Sequence, residues 1–588
     1  MGLLIPINYD LVAAVSLKAA CFSTNQYADV SFQKCFSNLL AIGLRRFVID
    51  VYWDNQRSIW SLCPAEIPPP SAVPSPTISA SSVTSTSSAS SSVSSPLNSS
   101  TTDSSFSSPS PSSSTLPPTQ DDQSGGTGGL YHLGAYNCSS TMIFGYLTGI
   151  LADFLQETST TTDASFTYLL LNVQAASSWA APNDPAQQPP TDRLPPSVGV
   201  TLSDLLKGNL SDALYTPSKL ADQRANLNDS WYDVADDTLP AAGYYRVEQG
   251  SEGDISTSDG WPNEAYVQFS QYFRLIAAIG TVAPQMSVYN FSDETIFESG
   301  TIRFQNVSFS PSGAISSGCL FDESLTTITP TTNSSLALAA VPSSVQVPTN
   351  PDLSTIIIPA ASNLTACGLS PFLNHTLANT TADENPLPYA AFTHSYLWSW
   401  APGEPLNATD PSSSTSTSNR CTAIYSSGPY SGRWHVADCA SQLRVACQNP
   451  SEPYSWAVSD EAATYGDAPN VCKSPRSFSV PHTALENTHL HAAIAAASLP
   501  AADSVFIDLN SLDVPDCWVA QLNASCPYQS PGDTNETRIV VVPTVAAVLI
   551  FVCAALTFFV KCAANRRDER RGRRRRVVEG WEYEGVPS

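Results

Sequence analysis

Between Ile539 and Val560 the chain runs for 22 residues without a charged side chain, and Lys561, Arg566, Arg567, Arg570, Arg571 and Arg573 to Arg576 follow. As a helix this run spans about 33 Å at 1.5 Å per residue, enough to cross the hydrocarbon layer of a bilayer. Pro543 and Thr544 lie near one end, where a membrane helix tolerates them. A basic cluster directly after an apolar run marks the cytosolic side. The expectation is a single-pass type I membrane protein of the endomembrane system or cell surface. Its transmembrane helix covers 539–560, its basic cytosolic tail covers 561–588, and everything before is luminal or extracellular.

Charge is divided in the same way. The chain has 27 basic and 52 acidic residues, and nine of the basic and five of the acidic ones lie after Val560. The preceding part therefore carries 18 against 47, or −29. Such an acidic ectodomain excludes a general nucleic-acid binder, and no direct nucleic-acid partner is expected. The basic tail suits anionic lipid, at about 1 kcal/mol per basic residue near the surface. Thirteen Asn-x-Ser/Thr sequons precede the span: Asn98, Asn137, Asn209, Asn228, Asn290, Asn306, Asn333, Asn363, Asn374, Asn379, Asn407, Asn523 and Asn535. Twelve of the fourteen cysteines precede it too, an even number compatible with full pairing in an oxidising compartment. Cys562 is a candidate for palmitoylation. A type I topology also predicts a signal peptide, and Met1 to Pro6 has no basic n-region or cleavage site, so a truncated start is expected.

Ser71 to Gln120 holds 30 Ser/Thr and 7 Pro in 50 residues, a composition that cannot bury apolar surface. It reads as a disordered insertion over 68–129 within one domain, because cysteine-bearing segments flank it. Elsewhere helices and strands alternate. Helices are predicted over Cys35–Leu44, Phe144–Leu155, Leu202–Leu206 and Ala265–Phe273. Strands are predicted over Phe47–Tyr52, Ile59–Leu62, Tyr168–Val173 and Leu275–Ile279, with Val505–Leu509 a late strand of the same kind. The alternation argues for an α/β domain with parallel strands.

Ser23, Thr24, Asn25, Gln26 and Tyr27, the run from Gly43 and Arg45 to Trp53, Leu214 to Pro217, and Gly260, Trp261, Pro262 with Arg274 resemble the phosphatidylinositol-specific phospholipase C type of α/β barrel. In that resemblance Ser23 to Tyr27 is the first-strand segment and Arg45 to Trp53 the second strand. It implies a TIM-type barrel over 1–67, 130–310 and 451–538. It also implies two catalytic histidines and a metal-binding Glu-x-Asp pair. Here Thr24 stands at the first histidine position, no histidine precedes His132, and Val48 replaces the Glu, leaving Asp50 alone. A single carboxylate is a poor calcium cage, and imidazole is the group suited to proton transfer near neutral pH. The barrel is therefore expected to lack phosphodiesterase chemistry, with no catalytic residue and no bound metal.

Asp50, Asp508 and Asn510 remain as residues of a pocket at a barrel mouth. His489 and His491 would share a face on a strand but not on a helix, and no third ligand is evident. No nucleophile elbow, phosphate loop or dinucleotide fingerprint occurs, and no cofactor is expected. Trp398, Trp400, Gly403 to Pro405, Cys421, Trp434, Asp438, Cys439 and Cys447 resemble the distal half of a C-type lectin-like domain. That resemblance implies a small α+β module over 311–450, a Cys421 to Cys439 bridge, and Cys447 reaching upstream to Cys367 or Cys319. Cys517 and Cys526 are further disulfide candidates. Leu406 interrupts the Glu-Pro-Asn ligand set and His435 to Ala437 the Trp-Asn-Asp set, so a scaffold without calcium-dependent sugar binding is expected.

Ala20 to Tyr27, Cys35 to Leu40, Arg45 to Trp53, Trp400 to Pro405 and Val514 to Trp518 ahead of one membrane span resemble the fungal maintenance of telomere capping protein 6 family. The resemblance implies a membrane glycoprotein with a role in telomere capping. A luminal ectodomain cannot touch chromatin, so the role is expected to be indirect. Three functions stand: a non-catalytic glycoprotein recognising an unknown luminal protein or glycan, a phosphodiesterase-like or glycan-processing enzyme, and a carbohydrate-binding surface protein.

Overall fold

The computed structural model describes residues 4–69, 119–121, 129–526 and 547–562, with gaps at 160, 162–163, 197–198, 235–238, 242, 251–252, 290–293, 311–312, 329–335, 407–418, 498 and 501–502. Six parallel strands run across its seven-stranded main sheet, β1 (Ala14–Ser16), β2 (Arg46–Asp54), β3 (Thr167–Ala175), β4 (Leu275–Val282), β5 (Leu338–Ala340) and β6 (Ser370–Leu373), and Ile59–Ser61 adds antiparallel to β2. Their order across the sheet is β4-β3-β2-β1-β6-β5. The path makes part of a TIM-type ring, with β4 and β5 at its two ends. Between β4 and β5 in the ring there are only isolated bridges among the described residues, with Leu214 pairing Leu275 at the start of β4. Phe297 bridges β4, exchanging bonds of 2.8 and 2.9 Å with Ile279 and Ala277, and Phe304 bridges β5 in the parallel sense.

The strands that read as apolar runs do so because both faces are buried. Phe47, Ile49, Val51 and Trp53 of β2 pack outward against helices, whereas Val48 packs inward with Leu170, Ala278, Leu338 and Phe372. Period-2 alternation puts Arg46, Asp50 and Tyr52 on the same inward face as Val48. The outer layer includes α1 (Leu17–Cys21), α2 (Asp29–Ala41), α3 (Phe144–Glu157), α4 (Leu202–Leu210), α5 (Pro217–Ala225), α6 (Pro359–Ala366) and α7 (Leu387–Tyr396). In α3, Phe144, Leu147, Leu151 and Leu155 form one buried stripe, each worth about 1.5–3 kcal/mol of burial. Thr201 and Asp204 cap α4 reciprocally in a capping box.

Several expectations change. Ser23 to Tyr27 is not the first strand, which is Ala14–Ser16; only Gln26–Tyr27 is extended, and it pairs with Tyr136–Ser139. Thr119–Asp121, inside the expected disordered insertion, pairs with Leu130–Leu133, and Cys63–Cys138 joins the two flanks. Over 265–273 the helix is a five-residue π-turn, Tyr266–Ser270, ended by Tyr272 at φ +62°. Gln271 N donates five residues back to Tyr266 O, a bond that widens the turn.

The boundary at 311 also moves, since β5 and β6 belong to the barrel sheet. Conversely, Val505–Leu509 does not return to it. A second sheet runs β8-β7-β11-β9-β10, from β7 (Asn419–Tyr425), β8 (Trp434–Asp438), β9 (Arg444–Gln448), β10 (Trp456–Val458) and β11 (Ser504–Asn510). Here β11 pairs with β9 in parallel. The segment after 450 thus completes this sheet, together with α8 (Ala484–Ala496). Cys421 pairs with Cys439, but Cys447 pairs downstream with Cys472, because Cys319 and Cys367 bond each other.

Asn510 onward forms a separate unit, in which Cys517–Cys526 closes a short loop. Residues 547–562 are one helix of sixteen residues, about 24 Å long, with every residue exposed, Phe551 and Phe559 each at 76%. Among the described residues no helix is long and apolar enough to cross a membrane. The first part of the expected span, 539–546, and the basic tail from 563 lie outside the described residues, as does most of the Ser/Thr-rich insertion.

Candidate functional site at the barrel mouth

The parallel register aligns Asp50 of β2 with Asn172 of β3, at the C-terminal end of the ring where TIM-type barrels place their chemistry. Asn172 Nδ2 donates to Asp50 Oδ1 at 2.9 Å, Tyr52 OH donates to Oδ2 at 3.3 Å, and Lys18 Nζ lies 3.8 Å from Oδ2. The Asn172 carbonyl accepts from Thr281 N and Oγ1, both at 3.0 Å, which carries the network on to β4. Gly280 makes room for it, since a Cβ there would sit 2.5 Å from Asn172 Oδ1. Burial first, and then the Asp50 carboxylate, push the Tyr52 phenol far above its usual range. Tyr27, beside the same crevice, is raised by burial, by Tyr136 and by Asp50.

This arrangement holds one carboxylate with donors on both oxygens. The phenols are kept as donors, so neither supplies a base near neutral pH. His375, two residues beyond β6, stands at the same end of the ring and was not singled out from sequence. Its Nδ1 lies 3.3 Å from Asn374 Oδ1, its Nε2 is buried without a partner, and burial lowers its pKa. Among the described residues no contact joins His375 to Asp50. Its only signal in sequence would have been its place after a four-residue strand, which has too few residues to show a period.

The opposite end of the ring is charged but buried. Arg46 is 0% exposed, its guanidinium lies 4.4 Å from the Tyr168 ring, and Nη1 donates to Ser370 Oγ at 2.9 Å. Burial raises both Asp10 and Glu264 here, with Glu264 pushed up to about 8. This is the end of a barrel associated with stability.

The other predicted residues scatter. Thr24 is exposed, and Val48 is a 3% exposed wall residue. Asp508 lies on β11 in the second sheet, where Tyr465 OH donates to it at 3.4 Å, so it does not share a pocket with Asp50. Asn510 donates to Gln521 O. His489 and His491 lie on a helix: His489 stacks on Tyr454 and is lowered to about 4 by burial, while His491 pairs with Ser431 Oγ at 2.8 Å. Glu404 Oε2 accepts from Leu406 N and Val436 N, and burial raises its carboxyl. Among the sequons, Asn209, Asn228, Asn306, Asn374, Asn379 and Asn523 are exposed and Asn137 and Asn363 half-buried. Asn98, Asn290, Asn333, Asn407 and Asn535 lie outside the described residues.

The family model of the MTC6 partial TIM-barrel domain matches residues 3–392. A relative from Lachancea thermotolerans, named maintenance of telomere capping protein 6, is 33% identical over 243 residues, 38% of this chain and 46% of that protein. Proteins of the same name from Candida tropicalis and Debaryomyces hansenii are 21% and 22% identical, each over 100% of this chain and 93% of theirs. No solved structure matches.

Proposed function

Because this chain belongs to the maintenance of telomere capping protein 6 family, whose partial TIM-barrel model it matches over residues 3–392, we propose that it is a non-catalytic type I membrane glycoprotein. Its ectodomain recognises a protein or glycan partner and serves telomere capping indirectly, through membrane or secretory physiology. The observation that carries this reading is the state of Asp50. A general base must reach the proton it abstracts, and a metal cage must gather several oxygens. Asp50 instead has Asn172, Tyr52 and Lys18 on its two oxygens, with no second carboxylate and no histidine in contact among the described residues. The exposed apolar helix 547–562 and the basic run after it support membrane attachment.

The test is turnover. Purified full-length chain is incubated with phosphatidylinositol and glycosylinositol lipids beside its Asp50→Ala variant. No product is expected from either. Robust hydrolysis abolished by Asp50→Ala would overturn the non-catalytic reading. Proximity labelling from the native ectodomain tests the topology, with luminal neighbours expected and nuclear telomere proteins the contrary result.

A further inference from the structure

Helix α5 carries Pro217, Leu220, Ala221 and Arg224 at positions i, i+3, i+4 and i+7, so the four share one face. That face is one wall of a cavity of ≈ 580 Å³, within the range of about 300–1,000 Å³ of small-molecule sites. The seven residue rises from Pro217 to Arg224 make the wall about 10 Å long. Across from it stand Ile279, in the second half of β4, and Phe297, which bridges β4 at Ala278.

Its charged end is built from Arg224 and Trp261. The guanidinium lies 5.4 Å from the indole centroid, with Nε donating to Gly260 O at 2.6 Å and Nη2 to Asp259 O at 3.4 Å. Neither bond uses Nη1. Partial burial strengthens a charge-assisted hydrogen bond to any anion placed there. Glu298 and Ser299 lie at the exposed rim. A trough of this length, with Leu220, Ile279, Ile296 and Phe297 along it and a fixed guanidinium at one end, matches a short hydrocarbon chain with one anionic head. We infer that this cavity binds a medium-chain carboxylate, with the chain along α5 and the head at Arg224. The site is separate from Asp50 and stands whether or not the non-catalytic reading holds.

The probe is octanoate, titrated by calorimetry into full-length chain in lipid nanodiscs against empty nanodiscs, with 1-octanol as the neutral control. Saturable octanoate binding is expected, about tenfold tighter than 1-octanol. Ala221→Trp fills the trough from an exposed position and should weaken octanoate at least about tenfold with the melting temperature unchanged. Arg224→Met should lose the preference for octanoate while keeping 1-octanol. Absence of saturable octanoate binding, equal affinity for 1-octanol, or full binding by a folded Ala221→Trp would each overturn the assignment.

Discussion

Gly280→Ala should destabilise this fold, against the usual trend for such a change. An alanine in place of glycine normally gains about 0.4–1 kcal/mol by restricting the unfolded chain. Gly280 has no left-handed backbone to excuse it, so only space is at issue. The added Cβ would meet Asn172 Oδ1 at 2.5 Å and Leu170 Cγ at 3.1 Å, and both belong to the packed interior of the ring. Overpacking of this kind costs about 1–3 kcal/mol. Moving the Asn172 amide also breaks its bonds to Thr281 and Asp50, about 1 kcal/mol each for ordinary bonds and more for the one to the carboxylate. The two Thr281 bonds are solvent-exposed and water replaces them, so the net loss is about 2 kcal/mol, close to a thirtyfold fall in the folding equilibrium. Urea denaturation followed by tryptophan fluorescence reads it, because the fully buried Trp53 lies on the neighbouring β2. In an Asn172→Ala background only the 3.1 Å approach to Leu170 Cγ remains, so Gly280→Ala should then cost clearly less than in the parent. An additive double mutant, or a single Gly280→Ala as stable as the parent, would refute the argument.

Asp50→Ala should cost about 2–3 kcal/mol by leaving the Asn172 amide and the Tyr52 phenol without their acceptor, whereas Lys18→Met, with its side chain 57% exposed, should cost under about 1 kcal/mol in the same measurement. Glu264 is raised from 4.5 to about 8, so the stability it contributes is complete below pH 4.5 and is lost as pH rises through about 8. Glu264→Gln keeps an acceptor for Phe166 N, and its melting temperature should fall less than the parent's between pH 5 and pH 8. For glycosylation, peptide mapping after deglycosylation should find Asn374 and Asn379 modified and Asn363 unmodified, since Asn363 is half-buried and donates to Gly313 O at 3.2 Å.

The long central strands were legible because burial on both faces leaves apolar runs such as Phe47 to Ile49 and Tyr168 to Leu171. The short ones were not. Ala14–Ser16, Leu338–Ala340 and Ser370–Leu373 have three or four residues each, too few to show a period, and without them the ring cannot be counted. Val505–Leu509 was readable as a strand but not as a member of a particular sheet, since sheet membership depends on pairing distant in sequence. The candidate site divides in the same way. Asp50 stood out as a lone carboxylate after an apolar run, while Asn172, Gly280 and Thr281 become its neighbours only through the register of three strands. Helical geometry also separates His489 from His491, which alternation alone would have kept together.

The Cys63–Cys138 bridge has a consequence for how this protein withstands a cut in its backbone. Its two cysteines flank the Ser/Thr-rich insertion, so a protease that cuts anywhere between Ser71 and Gln120 severs the backbone without releasing either part. The nicked molecule would keep its mass on a non-reducing gel and fall into two pieces only when reduced.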